Sequence, residues 1–381
     1  MRPGLLVVAR EWGRIGCIGF GGPPTHIALL RELCVERKRW LRTQEFEDAV
    51  AACNLLPGPA STQLAIFCAW RVGGRPGAVV GGAAFILPGL VVILALAALF
   101  LAGSAPDWVR GAGAGAGAGV AAVAVRAGTS LVPSSWQRAS ARGRWLVYAL
   151  LGGAAAATLG PWLVLVLLGC GAVELAWQRD GSGRGHGLAV HAWPLAVGGV
   201  AATGSLFTLA WVAFKVGALS YGGGFVIIPL MQADAVDRYH WMTDGEFLNA
   251  VALGQITPGP VVHTVAVVGY AAAGVGGALV ASLVAFAPSF AFVLFGAGRF
   301  DRLRADRRAR AFLDGSGPAA IGAIIGVAIP LTLALAEPWQ FLVLAGAALL
   351  LLAFRRGVVF TLLLAGAAGL VIAVGGGPLP T

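Results

Sequence analysis

Residues 54–63 read NLLPGPASTQ and residues 255–264 read QITPGPVVHT, so the chain carries two Pro-Gly-Pro breaks. Each break interrupts an apolar stretch that would otherwise continue as a helix, because proline lacks a backbone donor and clashes with the preceding turn. Backbone groups freed inside a bilayer must face protein or a watery cavity, since lipid offers no hydrogen-bond partner. The two stretches therefore predict a membrane protein in which both breaks line a cavity.

The composition also favours a membrane environment. Of the 381 residues, 58% are hydrophobic and 12% are charged, whereas about one quarter of a soluble globular protein is charged. Apolar runs of about 18 or more residues are transmembrane candidates. Such runs cover residues 77–101, 277–298, 316–336 and 358–374. We therefore expect an all-α polytopic protein that resides in the lipid bilayer.

Charge and motif content exclude several functional classes. The formal net charge is +10, but the basic residues lie between apolar segments, which indicates orientation in the membrane and not nucleic-acid binding. The five cysteines form no C-x-x-C pair, so the sequence predicts neither a disulfide framework nor a metal site. The histidines are scattered, and no catalytic or nucleotide-binding motif occurs. We therefore expect neither an enzyme nor a cofactor.

The chain contains an internal repeat. A shift of 201 residues aligns residues 14–60 with residues 215–261 without a gap, and it pairs Trp40 with Trp241 and one Pro-Gly-Pro break with the other. Self-similarity of this kind is the signature of a duplicated fold. A polar, glycine-rich stretch is the natural linker between the copies. The predicted parts are a first repeat, 1–177, the linker, 178–187, and a second repeat, 188–381.

The charges of the matched loops predict that the two repeats lie upside down relative to each other. Residues 31–45 carry five basic residues, whereas their counterpart, 232–246, carries one basic residue and four acids. Further on the bias reverses, because residues 299–310 carry six arginines and the matching stretch 99–110 carries one. Lys and Arg mark the cytoplasmic side of a membrane protein. We therefore predict inverted-topology repeats, an arrangement typical of transporters.

Each inverted repeat needs an odd number of crossings, and we count about five. The pieces on either side of each break are too short to span comfortably, so we interpret each pair as a re-entrant hairpin of broken helix. These pieces are residues 46–57 and 60–74 in the first repeat, and 247–257 and 261–275 in the second. Symmetry places the N-terminus outside, whereas Arg2 and Arg10 favour the cytoplasm, so its side stays open.

Polar side chains stand beside both breaks. The helix that starts after each break points free N–H groups and a positive dipole end toward the break, which suits an anion. The candidate substrate-binding residues are Asn54, Pro57, Gly58, Pro59, Ser61, Thr62 and Gln63 at the first break, and Gln255, Thr257, Pro258, Gly259, Pro260, His263 and Thr264 at the second. The alternative is a pair of purely structural kinks.

A glycine cluster precedes each break, as GFGGPP at 19–24 and as SYGGG at 220–224. Glycine lets the backbone approach a ligand closely, and Pro23 can start a helix. These clusters and three basic residues complete the candidate site: Gly21, Gly22, His26, Gly222 and Gly223, with Arg14, Lys215 and Arg71 as positive partners of the anion. The alternative role of the glycines is tight helix packing, which we also expect of GAGAGAGAG at 111–119.

The combination of these motifs resembles one known family. The first half contains GCIGFGGPPTHIALLR (16–31), VERKRWLRTQEF (35–46) and NLLPGPASTQLA (54–65), and the second contains GALSYGGGFVIIPLM (217–231) and DGEFLNAVALGQITPGP (244–260). They resemble the chromate ion transporter family in its two-domain form, over essentially the whole chain. The resemblance implies a carrier of the inner membrane that expels chromate and confers chromate resistance. The second half lacks the Pro-Pro and His of the first, so the two sites need not be equivalent.

The sequence thus predicts a secondary transporter for a small tetrahedral oxyanion, located as a multi-pass protein in the inner, cytoplasmic membrane. The resemblance implies chromate export, and a carrier or channel for sulfate or another small anion is the alternative. A membrane-embedded enzyme is the third reading, disfavoured by the missing catalytic motifs. The sequence leaves open whether a proton or the membrane potential drives transport, and whether the protein is a monomer or a homodimer.

Inverted repeats place the matched loops on opposite sides of the membrane. In a background without the five natural cysteines, Gln44→Cys and Gly245→Cys should therefore react with a membrane-impermeant thiol reagent from opposite sides. The measurement is labelling in right-side-out and in everted vesicles. If both positions label from the same side, the inverted arrangement is wrong.

Overall fold

The computed structural model describes residues 3–55, 58–101, 105–139, 141–159, 162–180, 206–220, 227–299 and 306–380. Every regular element in these ranges is helical, and none of them contains a strand. Long apolar helical stretches suited to crossing a bilayer are Ala60–Phe100, Asp107–Arg138, Val261–Gly296 and Arg307–Leu333. The protein is therefore an all-α polytopic membrane protein, as the composition predicts.

The helices of the first half follow the boundaries that proline and glycine set. They are α1 (Leu5–Ile18), α2 (Pro23–Arg31), α3 (Thr43–Leu55), α4 (Ala60–Phe100), α5 (Asp107–Ala118), α6 (Val120–Arg138), α7 (Arg142–Thr158) and α8 (Leu163–Asp180). Helix α2 starts at Pro23 as expected, because proline at the first helical position lacks only a donor that would be free anyway. A π-helical turn, Glu32–Arg37, prolongs α2.

The helices of the second half follow the same order. They are α9 (Leu206–Leu219), α10 (Ile227–Gln232), α11 (Asp244–Ile256), α12 (Thr264–Gly296), α13 (Arg307–Gly326), α14 (Ala328–Leu333), α15 (Pro338–Ala348) and α16 (Val358–Val374). Helix α11 starts with a capping box in which Thr243 and Glu246 satisfy each other's backbone N–H groups. The Glu246 carboxylate therefore caps the helix.

The two halves share backbone irregularities at matching positions. A second π-helical turn, Ala233–Arg238, follows α10 as Glu32–Arg37 follows α2. Positive φ angles recur in pairs at Arg39 and His240 (52° and 51°), Gly58 and Gly259 (116° and 88°), and Gly74 and Gly274 (68° and 63°). The sequence repeat therefore extends to the backbone. The inverted orientation, the number of crossings and the division at 178–187 stay predictions, and residues 181–187 lie outside the described ranges.

Helices α4 and α12 each consist of two segments joined at a kink. The non-helical residue is Gly74 in α4 and the pair Ala273–Gly274 in α12. The short pieces predicted at 60–74 and 261–275 are thus separate helical segments, followed by the longer apolar segments expected at 77–101 and 277–298. Whether the short pieces are re-entrant stays a prediction.

Helices of the two halves are interleaved. Helix α1 packs on α4, α9 packs on α12, and α4 and α12 pack on each other. Around this centre, α5 packs on α16, and α13 packs on both α7 and α8. The buried apolar side chains form one cluster drawn from both halves, whereas large apolar side chains such as Leu6, Phe295 and Leu333 are exposed. An apolar exterior of this kind fits contact with lipid.

Small residues allow the close helix contacts. A Cβ on Gly111 or Gly115 of α5 would collide with Gly369 and Ala365 of α16, so the prediction that GAGAGAGAG serves packing is confirmed. Gly16 and Gly217, which the repeat aligns, lie against backbone carbonyls of Phe85 on α4 and Ala285 on α12. Without a hydrophobic driving force between helices in lipid, such backbone proximity is what holds a bundle together.

We predict that Gly322→Ala destabilises the protein. A Cβ at this position of α13 would overlap the backbone of Ala149 on α7, and overpacking of this kind costs about 1–3 kcal/mol. The measurement is the melting temperature of the purified protein in detergent. Gly346→Ala is the matched control, because Gly346 is also helical but has no neighbour within 4 Å of the added Cβ. The prediction is wrong if both variants melt at the same temperature.

Candidate functional site

The first break places three polar side chains in the protein interior. Pro59 is the N-cap of α4, and Ser61, Thr62 and Gln63 on its first turn are at most 3% exposed. The first N–H groups of an α-helix have no partner within the helix, so this turn presents free donors toward the break. Pro57 and the side chain of Asn54 lie outside the described residues.

The first break packs on helices of the second half. Gly58 has a φ of +116°, which favours glycine, and a Cβ there would lie 2.6 Å from the Gln63 amide nitrogen. It would also lie 3.3 Å from the Gly217 carbonyl oxygen on α9 and 3.4 Å from the Ser289 hydroxyl on α12. Only a glycine fits between these groups. The first break therefore lies at the contact between the two halves.

The second break packs in turn on the first half. Gly259, with a φ of +88°, donates its backbone N–H to the Gly19 carbonyl oxygen at 3.0 Å. A Cβ on Gly89 of α4 would collide with the Pro258 carbonyl and with the His263 ring. Each break is thus enclosed by the half of the chain that does not contain it.

His26 connects the two breaks through hydrogen bonds. Its ring is fully buried, and Nε2 donates to the Gly19 carbonyl at 2.8 Å. With that tautomer, Nδ1 accepts from the Ser61 hydroxyl at 3.3 Å. Because Gly19 also accepts from Gly259, one chain of hydrogen bonds runs from Ser61 at the first break to Gly259 at the second.

The glycine cluster after α1 supplies the turn that this chain requires. Gly21 and Gly22 both have positive φ, at 101° and 75°, which lets the backbone turn sharply between Gly19 and the start of α2. The corresponding Gly222 and Gly223 of the second half lie outside the described residues.

His263 occupies a comparable place beside the second break. It packs edge-on against Phe286 with ring centroids 5.3 Å apart, as His26 packs against Phe85 at 5.1 Å. The repeat aligns the two phenylalanines but not the two histidines. The His263 ring lies beside the Ile86 carbonyl, yet neither ring nitrogen makes a hydrogen bond of normal geometry with the described residues.

Several other buried polar atoms of this region lack a partner among the described residues. They are the hydroxyl oxygens of Thr62, Ser220, Ser282 and Ser289 and the amide nitrogen of Gln255. Leaving one such group unpaired costs about 1–3 kcal/mol, so a bound molecule that supplies acceptors would stabilise them. Hydroxyl, amide and imidazole donors suit an oxyanion, whose oxygens accept hydrogen bonds in all directions. The choice between a binding site and purely structural kinks stays a prediction.

Besides Ser61, two more of the predicted hydroxyls already have partners. Thr257 donates to the Leu253 carbonyl at 3.0 Å, and Thr264 donates to the Val261 carbonyl at 2.9 Å. Both bonds run to the backbone within the same turn, so each hydroxyl hydrogen is engaged. Thr62 and Ser289 remain as the hydroxyls available to a ligand close to the breaks.

The three basic residues predicted as positive partners lie in different environments. Arg14 is exposed on α1. Arg71 forms an ion pair with Glu45 and lies 5.9 Å over the Trp70 ring. Lys215 on α9 forms an ion pair with the buried Asp234 at 2.5 Å. Of the three, Lys215 is closest in sequence to a group that contacts a break, since Gly217 lies two residues further on.

Sequence reasoning missed Ser289 and Asp234. Ser289 follows Pro288 inside an apolar run, and a polar residue at such a place is a signal for a functional position. Asp234 lies in the loop 232–246, whose acids we used only to predict the orientation of the second repeat. Nothing in the sequence pairs Asp234 with Lys215, which is 19 residues away.

Comparison with known proteins identifies the family. The family model described as chromate transporter matches residues 6–175 and again residues 207–370. A chromate transport protein of Cupriavidus metallidurans is 34% identical over 334 residues, which are 84% of this chain and 80% of that protein. A chromate transport protein of Pseudomonas aeruginosa is 30% identical over 351 residues, covering 85% of this chain and 80% of that one.

A probable chromate transport protein of Synechococcus elongatus is 27% identical over 84% of this chain and 82% of its own length. No solved structure matches. The two segments matched by the family model correspond to the two halves that the repeat defines. The chain is a transporter and not an enzyme, and it belongs to the chromate transporter family.

Proposed function

We propose that the protein is a secondary transporter that exports chromate, a tetrahedral oxyanion, across the cytoplasmic membrane and thereby confers chromate resistance. The names of its relatives supply the substrate. The observation that carries the proposal is the pair of buried breaks, each enclosed by the opposite half and joined by the hydrogen bonds from Ser61 through His26 and Gly19 to Gly259.

The donors at the breaks match what a dianion needs. An anion that leaves water must replace its hydration shell with hydrogen-bond donors or positive charge. Gln63 and Ser289 both lie beside Gly58, so donors from the two halves converge on one point. The first turn of α4 adds backbone N–H groups and the positive end of a helix dipole. These groups stabilise a dianion without placing an unpaired cation in the bilayer.

The same donors predict weak discrimination between chromate and sulfate. Both are tetrahedral dianions, and hydroxyl, amide and backbone donors recognise shape and charge only. A carrier for sulfate or another small anion is therefore the second candidate function. It uses the same site, and competition between the two anions distinguishes the cases.

The proposed energy source is the membrane potential, with or without a proton. The potential is negative inside and favours anion exit by about 2.3 kcal/mol per charge per 100 mV. Inverted repeats would let the enclosed site open to either side by rocking of one repeat against the other. Export then needs no nucleotide.

We predict that Gly58→Ala abolishes transport while the protein still inserts into the membrane. The added Cβ would push on Gln63 and Ser289, in addition to the cost of about 1–2 kcal/mol for a positive φ at a non-glycine residue. Gly274→Ala is the matched control, because Gly274 also has a positive φ but has no neighbour within 4 Å of the Cβ. Transport that falls equally in both variants would show that backbone strain alone is responsible.

We expect everted membrane vesicles that contain the protein to take up labelled chromate, and unlabelled sulfate to compete. Uptake should require an interior-positive potential and no ATP, and a chromate-sensitive host that expresses the chain should accumulate less chromate. Vesicles with the Gly58→Ala variant are the negative control. Unchanged chromate accumulation with verified insertion would contradict chromate export, and sulfate uptake alone would favour the second candidate.

A further inference from the structure

His263 is a buried imidazole with unused nitrogens at the second break. The residue is fully buried, and neither ring nitrogen makes a hydrogen bond of normal geometry with the described residues. The ring lies against the backbone of the break, because a Cβ on Gly259 would be 3.2 Å from His263 Cε1. A neutral imidazole has one N–H donor and one bare nitrogen. The bare nitrogen is therefore an unsatisfied acceptor in the protein interior.

Helices α4 and α12 enclose the ring. A Cβ on Gly89 of α4 would lie 2.7 Å from His263 Cε1 and 2.8 Å from Nδ1, so the glycine makes room for the imidazole. The Ile86 carbonyl lies beside the ring, and Phe286 of α12 makes a T-shaped contact with it. The carbonyl is an acceptor for one N–H in either protonation state. The state of the other nitrogen therefore decides whether the ring donates to a ligand.

The ring also lies near the contact between the two breaks. Phe286 and Ser289 are three residues apart, which places them on one face of α12. The Ser289 hydroxyl would lie 3.4 Å from a Cβ on Gly58 at the first break. His263 therefore packs on the same face of α12 that presents a hydroxyl to the first break.

His26 is the titratable group of the described chain that acts electrostatically on His263, and no described carboxylate does so. The His26 nitrogens are already engaged, one with the Gly19 carbonyl and the other with the Ser61 hydroxyl. A proton on His263 in the empty site would be an uncompensated charge in the protein interior, which is costly. The empty site therefore holds a neutral His263.

The basic residues predicted as partners of the anion leave its charge largely uncompensated. Arg14 is exposed, whereas Arg71 and Lys215 are each paired with a carboxylate. The cost of moving an ion into a medium of low dielectric constant rises with the square of its charge, so a dianion that gains one proton at its site is about fourfold less costly to enclose. A group that becomes positive only when the anion is present meets this need.

We propose that His263 is the proton-binding site of the carrier, which takes up one proton with each oxyanion and releases both outside. The proton comes from water on the cytoplasmic side, and the new N–H donates to an oxygen of the anion. Coupling between two ligands is reciprocal, so loss of the proton to outside water weakens the hold on the anion. Anion and proton together carry one negative charge, and the membrane potential still favours their exit. This inference rests on the proposed function and specifies what crosses with the anion.

The test counts the protons that enter proteoliposomes with chromate. A potassium gradient with valinomycin sets an interior-positive potential, and a trapped pH dye reports the lumen. The buffer is alkaline, so chromate in solution is a dianion, and a passive proton leak runs outward. We expect the lumen to acidify by about one proton per chromate, as proton linkage requires. His263→Gln cannot be protonated, so we expect its slower chromate uptake to bring in no protons.

The same coupling makes chromate binding depend on pH. Because the empty site is neutral and the filled site is protonated, KM should rise about tenfold for each unit by which the pH is raised. His263→Gln should remove this dependence. His240→Gln is the matched control, since His240 is exposed, and it should keep both the proton count and the pH profile. If His263 were merely structural, the residual transport of His263→Gln would stay proton-coupled.

Chromate uptake by the unaltered protein without proton entry would overturn the inference, and this measurement needs no variant. A proton count of about one per chromate that persists in His263→Gln would also overturn it. If His263→Gln does not insert, His263→Asn is measured instead, because it is smaller and equally unable to take a proton. Failure of the proposed function is distinguishable, since the unaltered protein would then transport neither chromate nor sulfate.

Discussion

The structure depends on one constraint: backbone and polar groups exposed by a helix break cannot be left to lipid. Pro-Gly-Pro occurs twice, and each occurrence is enclosed by the half of the chain that does not contain it. Gly58 contacts groups on α9 and α12, and Gly259 donates to Gly19. Neither half could therefore bury its own break alone. The interleaving of the halves, with α4 against α12 at the centre, follows from this mutual requirement.

Mutual enclosure does not make the halves identical. The repeat aligns His26 with Ile227 and Thr62 with His263. A histidine therefore reaches each break from a different element of its half. Each ring nevertheless packs on an aligned phenylalanine, Phe85 or Phe286. The ion pair between the first helix and the π-helical turn also has opposite polarity in the two halves. In the first half the acid, Glu11, lies on the helix and pairs with Arg37 on the turn, whereas in the second half the helix carries Lys215 and the turn carries Asp234. A carrier whose two faces meet different environments can use such differences to bind on one side and release on the other.

Local features of the fold could be predicted from the sequence because their causes are local. Pro23 starts α2, the Pro-Gly-Pro motifs end α3 and α11, and the alternating glycines of 111–119 pack against another helix. Partners distant in sequence could not be predicted. The chemistry of Thr257 and Thr264 suggested ligand donors, but their hydroxyls bond the backbone of their own turns. Nothing in the sequence placed Ser289 beside Gly58 or His26 between Ser61 and Gly19, because those contacts arise from the packing of one half on the other.

We propose that the transported anion binds where the two breaks meet, in contact with both halves of the chain. The most direct measurement is a structure of the protein with chromate bound, in which anomalous scattering locates the chromium atom. The predicted position lies within about 4 Å of donor atoms from both halves, with an oxygen of the anion at hydrogen-bond distance from each. These donors are Gln63 or Thr62 in the first half, and Ser289 or His263 in the second. Chromium found only at surface arginines, or in contact with one half alone, would contradict a shared anion site.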